Sequence, residues 1–264
     1  MGDEHVVYKL GRQPHDQNKP RLQLMSYFAD SPASPDHFDF DRSMQAAFVP
    51  YTWGNTEYGD CVIAARANAA QRYEFAERGF HVNIHENDAI STYKALTGCQ
   101  QPGDANDTGL VVQDALNDWR VNGWPVHYSQ KPETIFAFGE VAMDANGNCD
   151  PAKLRTAVYE LGTATLGLAM PLSAQAQTGN GFWDVVSDPA TSQPGSWGGH
   201  CVLVRGFDSE GFVVKTWGMN IHMSDAFLVK YCEEAWGIVD SVEVSHPRFN
   251  QAQLEADLKA LTNG

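Results

Sequence analysis

The sequence predicts an α+β fold built as two packed lobes. Helix-periodic, capped segments dominate residues 51–130, while short strand-like runs between turn residues dominate 131–250. Helices first and strands later, rather than in alternation, point to segregated layers and not to a parallel sheet. A third observation completes the organisation: residues 1–50 form a polar arm carrying Pro14, Pro20, Pro32 and Pro35. The expected division is an arm (1–50) and a two-lobed unit (51–264) that closes with a C-terminal helix over 251–264.

The arm has one apolar stretch, Leu22 to Phe28. It reads as a segment that wraps the domain or hangs as a loose tail. The first helix is expected over 61–78. Asp60 precedes it as a cap, small residues follow (Ala64, Ala65, Ala67, Ala69, Ala70), and Gly79 closes it. A second helix is expected from Asn87 to Leu96, stopped by Gly98. A third runs from Leu110 to Val121, with Val112, Leu116 and Trp119 on one face. Asp150 caps a helix over 151–161, with Pro151 in its first turn and Leu154, Ala157, Val158 and Leu161 on one stripe.

Strands are expected over 135–143, 163–170, 200–207 and 211–216. The last two are joined by Asp208-Ser209-Glu210, with Gly211 behind them, as a hairpin. Amphipathic spacing returns in Gln251–Leu261.

The chain has 264 residues, 43% of them apolar, enough for a sizeable core. Its 33 acidic and 18 basic residues give a net charge of −15. That balance argues against nucleic acid, which needs Lys and Arg to displace counterions. It argues equally against anionic membrane surfaces. The opening MGDEHVVYKLGR lacks the basic and apolar regions of an export signal, and Val6 departs from the myristoylation pattern. A cytoplasmic location is the default expectation; a phage particle or a signal-less secretion route is equally compatible.

Five cysteines leave at least one unpaired. In Trp53-Gly54-Asn55-Thr56-Glu57-Tyr58-Gly59-Asp60-Cys61, a glycine-containing loop runs directly into a helix whose first residue is the cysteine. The free N–H groups and dipole of a helix start stabilise a thiolate there. By position alone, Cys61 is equally a small buried apolar residue. In Trp197-Gly198-Gly199-His200, two glycines let other backbone approach a histidine at a strand mouth. A single such histidine is most often structural; paired with a thiol from the other lobe, it is a general base and then a general acid.

Taken together, these motifs resemble the papain-like cysteine peptidases, in a divergent bacterial or phage branch. Asn55 stands six residues before Cys61, where the family has a Gln whose amide helps form the oxyanion hole. Gly59-Asp60-Cys61 corresponds to the family's Gly-Ser-Cys. Gly199-His200-Cys201-Val202-Leu203-Val204-Arg205-Gly206-Phe207 is similar to its histidine strand, and Phe212-Val213-Val214-Lys215-Thr216-Trp217-Gly218 to the strand ending Lys-Asn-Ser-Trp-Gly. The resemblance implies the papain-like fold, with a helical lobe and an antiparallel β lobe. It implies a cysteine peptidase-like hydrolase in which Cys61 is the nucleophile and His200 the base. Asn55 and the Cys61 N–H would bind the oxyanion, and Trp217 would wall the site.

Besides Asn55 for Gln, two positions depart from the family. Val62 replaces a Trp. The Asn that orients the histidine has no clear counterpart: counting back from Trp217 reaches Lys215, which has no acceptor, and counting forward from His200 reaches Thr216, which has one. Thr216 is the expected third catalytic residue, with a backbone carbonyl or water as the rival. The expected substrate is a peptide or protein, and no cofactor or metal is expected. The motifs suit an amidase, transamidase or acyltransferase as well as a peptidase. The atypical third residue leaves a non-catalytic binding or virion-associated protein as the alternative class.

Weaker signals have plain readings. His81 and His85 have a zinc-like spacing, but the alternation through Val82, Asn83 and Ile84 suits an extended segment. Cys201 and Cys232 read as core thiols, and Cys99 and Cys149, both near turns, as a possible pair. Trp183 and Trp197 either line a cleft or pack the core. The arm could lie in the cleft as an inhibitor, though a structural role is the simpler reading.

Overall fold

The computed structural model describes residues 8–29, 33–82, 84–125, 131–240 and 249–262. Most of the N-terminal dodecapeptide read for an export signal, together with Pro32 and Asn83, lies outside them. Strand β1 (Phe38–Asp39) leads into a single helical turn, α1 (Phe40–Ser43). Three helices follow: α2 (Cys61–Arg78), α3 (Glu86–Thr97) and α4 (Val112–Asn122). Strand β2 (Ala137–Glu140), α5 (Pro151–Leu161), β3 (Ala164–Met170), α6 (Leu172–Thr178) and β4 (Phe182–Trp183) open the second lobe. It continues through β5 (Gly198–Phe207), β6 (Gly211–Thr216), β7 (Met219–Ser224), α7 (Asp225–Tyr231) and β8 (Cys232–Val239), and the chain closes with α8 (Gln251–Thr262).

The sheet runs β2-β8-β3-β5-β6-β7-β4, with β1 added to the end of β5. Every pairing is antiparallel except β4 with β7. This is the α+β architecture the sequence predicts. Central β3 is buried at every position, as a strand covered on both faces must be.

Two cores result. Leu166, Leu168, Val202, Val204, Val214, Phe227 and Leu228 fill the β lobe together with Leu154, Val158 and Leu161 of α5. The other core holds the apolar residues of α2, α3 and α4 with Cys201 and Leu203 of β5 and Trp236 and Ile238 of β8. Alternate residues of β5 therefore face opposite lobes, and the sheet itself is the wall between them. Buried Arg66 of α2 is paired within the helical lobe through its two terminal nitrogens, which reach Asp118 at 2.7 Å and the Gly123 carbonyl at 2.7 Å, and it stacks over Trp124.

His81 and His85 share no helix, in line with the alternation read from the sequence: α3 starts at Glu86, and His85 is its N-terminal cap. Two expectations need correction. Asp60 precedes α2, but its side chain caps nothing and is fully buried. Cys99 and Cys149 do not pair, because they sit in different cores. Cys99 Sγ donates to the Gln101 carbonyl at 3.3 Å, and the partner of Cys149 is the Cys232 thiol. All five cysteines are free. No helix of the described residues is long and apolar enough to cross a membrane.

The arm is built into the fold. The Glu140 N–H donates to the Leu22 carbonyl at 2.7 Å, Leu24 is fully buried, and Tyr27 Oη donates to Asp257 of α8 at 2.7 Å. The described part of 1–50 thus wraps both lobes.

Candidate active site

Cys61 is placed by the loop that precedes it. Glu86 Oε1 accepts from the Thr52 hydroxyl (2.6 Å) and the Gly54 N–H (3.1 Å), and Asp107 Oδ1 accepts from the Gly59 N–H (2.8 Å). Gly54, at φ +92°, adopts a conformation that side chains disfavour. The chain then turns into α2 with Cys61 as its first residue.

His200 lies on β5, packed against α2 through its neighbour Cys201. Its Nε2 is 2.7 Å from Thr216 Oγ1, and its ring stacks on Trp217 at 4.1 Å between centroids and 12° between planes. Both partners come from one corner. Thr216 and Met219 pair across the β6–β7 hairpin, so Trp217 and Gly218 form a two-residue loop, with φ of +45° and +74°. Positive φ at both loop positions is what the strand twist requires in such a turn. It is strained for a tryptophan, and the ring is held by His200, Trp183, Trp197 and Tyr8. Trp183 and Trp197 are thereby joined to the site wall. Lys215 points away, with Nζ 3.5 Å from the Gly218 carbonyl, and burial lowers its pKa to about 8.

The other imidazole nitrogen, Nδ1, is buried and has no hydrogen-bond partner. Asn55 is fully buried, and its Nδ2 donates to the Tyr58 carbonyl at 3.2 Å. Burial lifts the Asp60 carboxyl well above its ordinary range, and the Asn55 amide opposes that shift. In this state the Asn55 amide serves its own loop.

The arm also covers the site, the lesser of the two placements weighed for it from the sequence. Residues 10–12 of the arm run between the lobes, directly over Cys61. The N–H groups of Gly11 and Arg12 donate to the Gly199 carbonyl at 3.1 and 3.0 Å. On the other side Leu110 N–H donates to the Gly11 carbonyl, and Gln13 N–H to the Leu110 carbonyl, both at 2.8 Å. Trp217 Nε1 donates to the Lys9 carbonyl at 3.0 Å. Gly11 is required here: a Cβ on it would stand 1.7 Å from the Gly59 carbonyl oxygen.

The arm leaves Cys61 1% exposed and His200 fully buried. This reverses the electrostatics expected of a helix start. Burial pushes the Cys61 thiol up to about 12, against the opposing pull of the Cys201 and Gly11 N–H groups. Burial, aided by the charge of Arg12, lowers His200 to about 3. With the arm in place the pair is a neutral thiol and a neutral imidazole. The activated thiolate expected from Cys61's position is absent from this state because desolvation outweighs the helix terminus. No cluster of three or more metal-ligating side chains occurs among the described residues.

Among solved structures, the fold is similar to xylellain, a cysteine protease from Xylella fastidiosa. The two share 16% identity over 89% of this chain and 96% of that one, with a TM-score of 0.64. It is also similar to the proform of the ragweed pollen cysteine protease Amb a 11 (17% identity, 81% of this chain and 69% of that one, TM-score 0.55). A third similar structure is procathepsin L 3 of the Tenebrio molitor larval midgut (15% identity, 89% and 77%, TM-score 0.55). No protein-family model and no curated protein matches the sequence. At these identities the likeness establishes the fold, which is that of the papain-like cysteine proteases.

Proposed function

We propose that this chain is a thiol-dependent hydrolase that cleaves peptide or isopeptide bonds through a Cys61–His200 pair. One observation carries the proposal. His200 is gripped on Nε2 by Thr216 and on its face by Trp217, while Nδ1 is left without a partner on a fold whose similar structures are cysteine proteases.

The steps follow from the geometry. With Nε2–H donating to Thr216 Oγ1, Nδ1 is the basic nitrogen. Once the arm has left and the site is hydrated, Nδ1 takes the Cys61 proton and the sulfur attacks the substrate carbonyl carbon. The oxyanion is met by the Cys61 N–H at the start of α2 and by the Asn55 amide after it turns from the Tyr58 carbonyl; such a donor contributes about 2.7–4 kcal/mol in the transition state. Nδ1–H then protonates the leaving amine, leaving a thioester. Water, deprotonated by Nδ1, hydrolyses the thioester and returns the thiol. Thr216 holds the ring orientation throughout, and Trp217 keeps water off the Nε2 contact.

An epoxysuccinate electrophile tests the proposal on the full-length chain with its arm displaced. One adduct on Cys61, absent from Cys61→Ser, is expected. Peptide turnover should disappear with the same substitution.

A further inference from the structure

The arm covers the thiol, and it also fills a pocket beside it. The Arg12 side chain is 3% exposed and runs away from Gly11 to two carboxylates of β8. Nη1 donates to Glu234 Oε1 at 2.9 Å, and Nη2 donates to Glu233 Oε2. The Glu234 side chain is fully buried, and its second oxygen accepts from Trp236 Nε1 at 2.7 Å. The pocket has space because its floor is Gly167 of β3. A Cβ there would meet Glu234 Cγ at 2.4 Å and Arg12 Cδ at 2.7 Å. Gly167 pairs with Cys201, the neighbour of His200, on one side and with Glu234 on the other. The pocket is therefore one strand away from the catalytic pair.

From this we infer that Glu234, with Glu233, forms a specificity pocket for a guanidinium side chain. The preferred substrate would be a peptide with arginine next to the residue lying on Cys61, and Arg12 occupies the position of that side chain. The inference rests on the thiol-hydrolase reading above. When the arm leaves, Glu234 keeps its Trp236 bond but loses its cation. A carboxylate in such a place is costly without an opposite charge, and a neutral side chain leaves it uncompensated. Two carboxylates on the two terminal nitrogens suit the fork of arginine better than the single point charge of lysine. The sequence signal was an acidic pair, Glu233-Glu234, inside an otherwise apolar strand.

The test uses the full-length Gly11→Val chain, whose added side chain cannot fit against the Gly59 carbonyl. Three peptidyl acyloxymethyl ketones are compared, differing only in the second residue from the electrophile: arginine, citrulline or leucine. The readout is the rate of Cys61 labelling by intact mass. Arginine is expected to label on the order of ten- to a hundredfold faster than citrulline, its neutral near-isostere, and Glu234→Gln to abolish that preference. The citrulline comparison holds even if the Glu234 variant fails to fold. Equal or faster labelling by citrulline or leucine overturns the pocket. So does labelling by iodoacetamide without labelling by any of the peptides, which leaves the thiol reading intact. A Cys61 inert to every electrophile, iodoacetamide included, overturns the thiol reading and the pocket with it.

Discussion

His200 Nε2 and Thr216 Oγ1 lie 2.7 Å apart, between β5 and the end of β6, in a region closed to solvent. In the proposed mechanism the hydroxyl accepts the imidazole N–H, which selects the tautomer with a basic Nδ1. Thr216→Val keeps the volume and removes the acceptor. Leaving that buried N–H unpaired costs about 1–3 kcal/mol, so kcat is expected to fall about ten- to a hundredfold with KM little changed. Thr216→Ser should restore most of the rate and the wild-type pH profile. Steady-state kinetics in the Gly11→Val background checks this, and an unchanged kcat in Thr216→Val would remove Thr216 from the mechanism.

Trp217 gives a second prediction. Its ring lies flat on His200 and touches Trp183, Trp197 and Tyr8. Trp217→Ala is expected to destabilise the protein by about 3–5 kcal/mol, read as a lower urea midpoint. It should also let water reach the imidazole. NMR titration should then find the His200 pKa above the value of about 3 held in the closed state.

The arm makes a third. Gly11 is squeezed from two directions: its own Cβ would strike Gly59, and a Cβ on Gly109 would stand 1.8 Å from the Gly11 carbonyl oxygen. Gly11→Val should displace residues 10–12 while the core stays folded. Iodoacetamide labelling of Cys61 at pH 7 is expected to rise at least tenfold over wild type, because thiolate is the reactive form and burial suppresses it. Equal rates in the two proteins would mean that the arm does not control access.

The same burial makes arm closure depend on pH. His200 is held at about 3 when covered, below its ordinary 6.5. Closure therefore expels a proton from it and is lost as pH falls from 6.5 toward 3. Cys61 is held at about 12, above its ordinary 9.0, so closure is lost again as pH rises from 9 toward 12. The closed arm is most stable between those ordinary values. In 19F NMR of fluorotryptophan-labelled protein, the Trp217 signal should move toward an open position below pH 6.5. A signal constant down to pH 4 would contradict this linkage.

Much of the architecture could be read from residue order. The predicted 61–78 and 151–161 helices have the observed bounds, since each ends at a glycine and the second starts at a capped proline. The hairpin after His200 followed from Asp208, whose carboxylate accepts from the Glu210 and Gly211 N–H groups. Strand β7 was missed because the turn before it is Trp217-Gly218, and a tryptophan at positive φ is not a turn signal. Strand β8 was missed because Glu233 and Glu234 interrupt its apolar run. Around the candidate site, the placement of Cys61 at the start of α2 and of His200 beside Thr216 and Trp217 was legible because local motifs carry it. The arm over them was only the lesser of two readings, since its fit depends on Gly11 meeting Gly59, Gly109 and Gly199 from three distant segments. The activation expected of Cys61 missed for the same reason: a helix start is local, and burial by the arm is not.

The most direct measurement of the central claim is turnover of a mixed peptide library by the full-length Gly11→Val chain, followed by mass spectrometry beside Gly11→Val/Cys61→Ser and Gly11→Val/His200→Ala. The account predicts cleavage at a restricted set of bonds by the first protein and none by the other two. Cleavage that persists without Cys61 or without His200 would contradict it, as would intact peptides alongside a Cys61 that reacts no faster than the other four thiols.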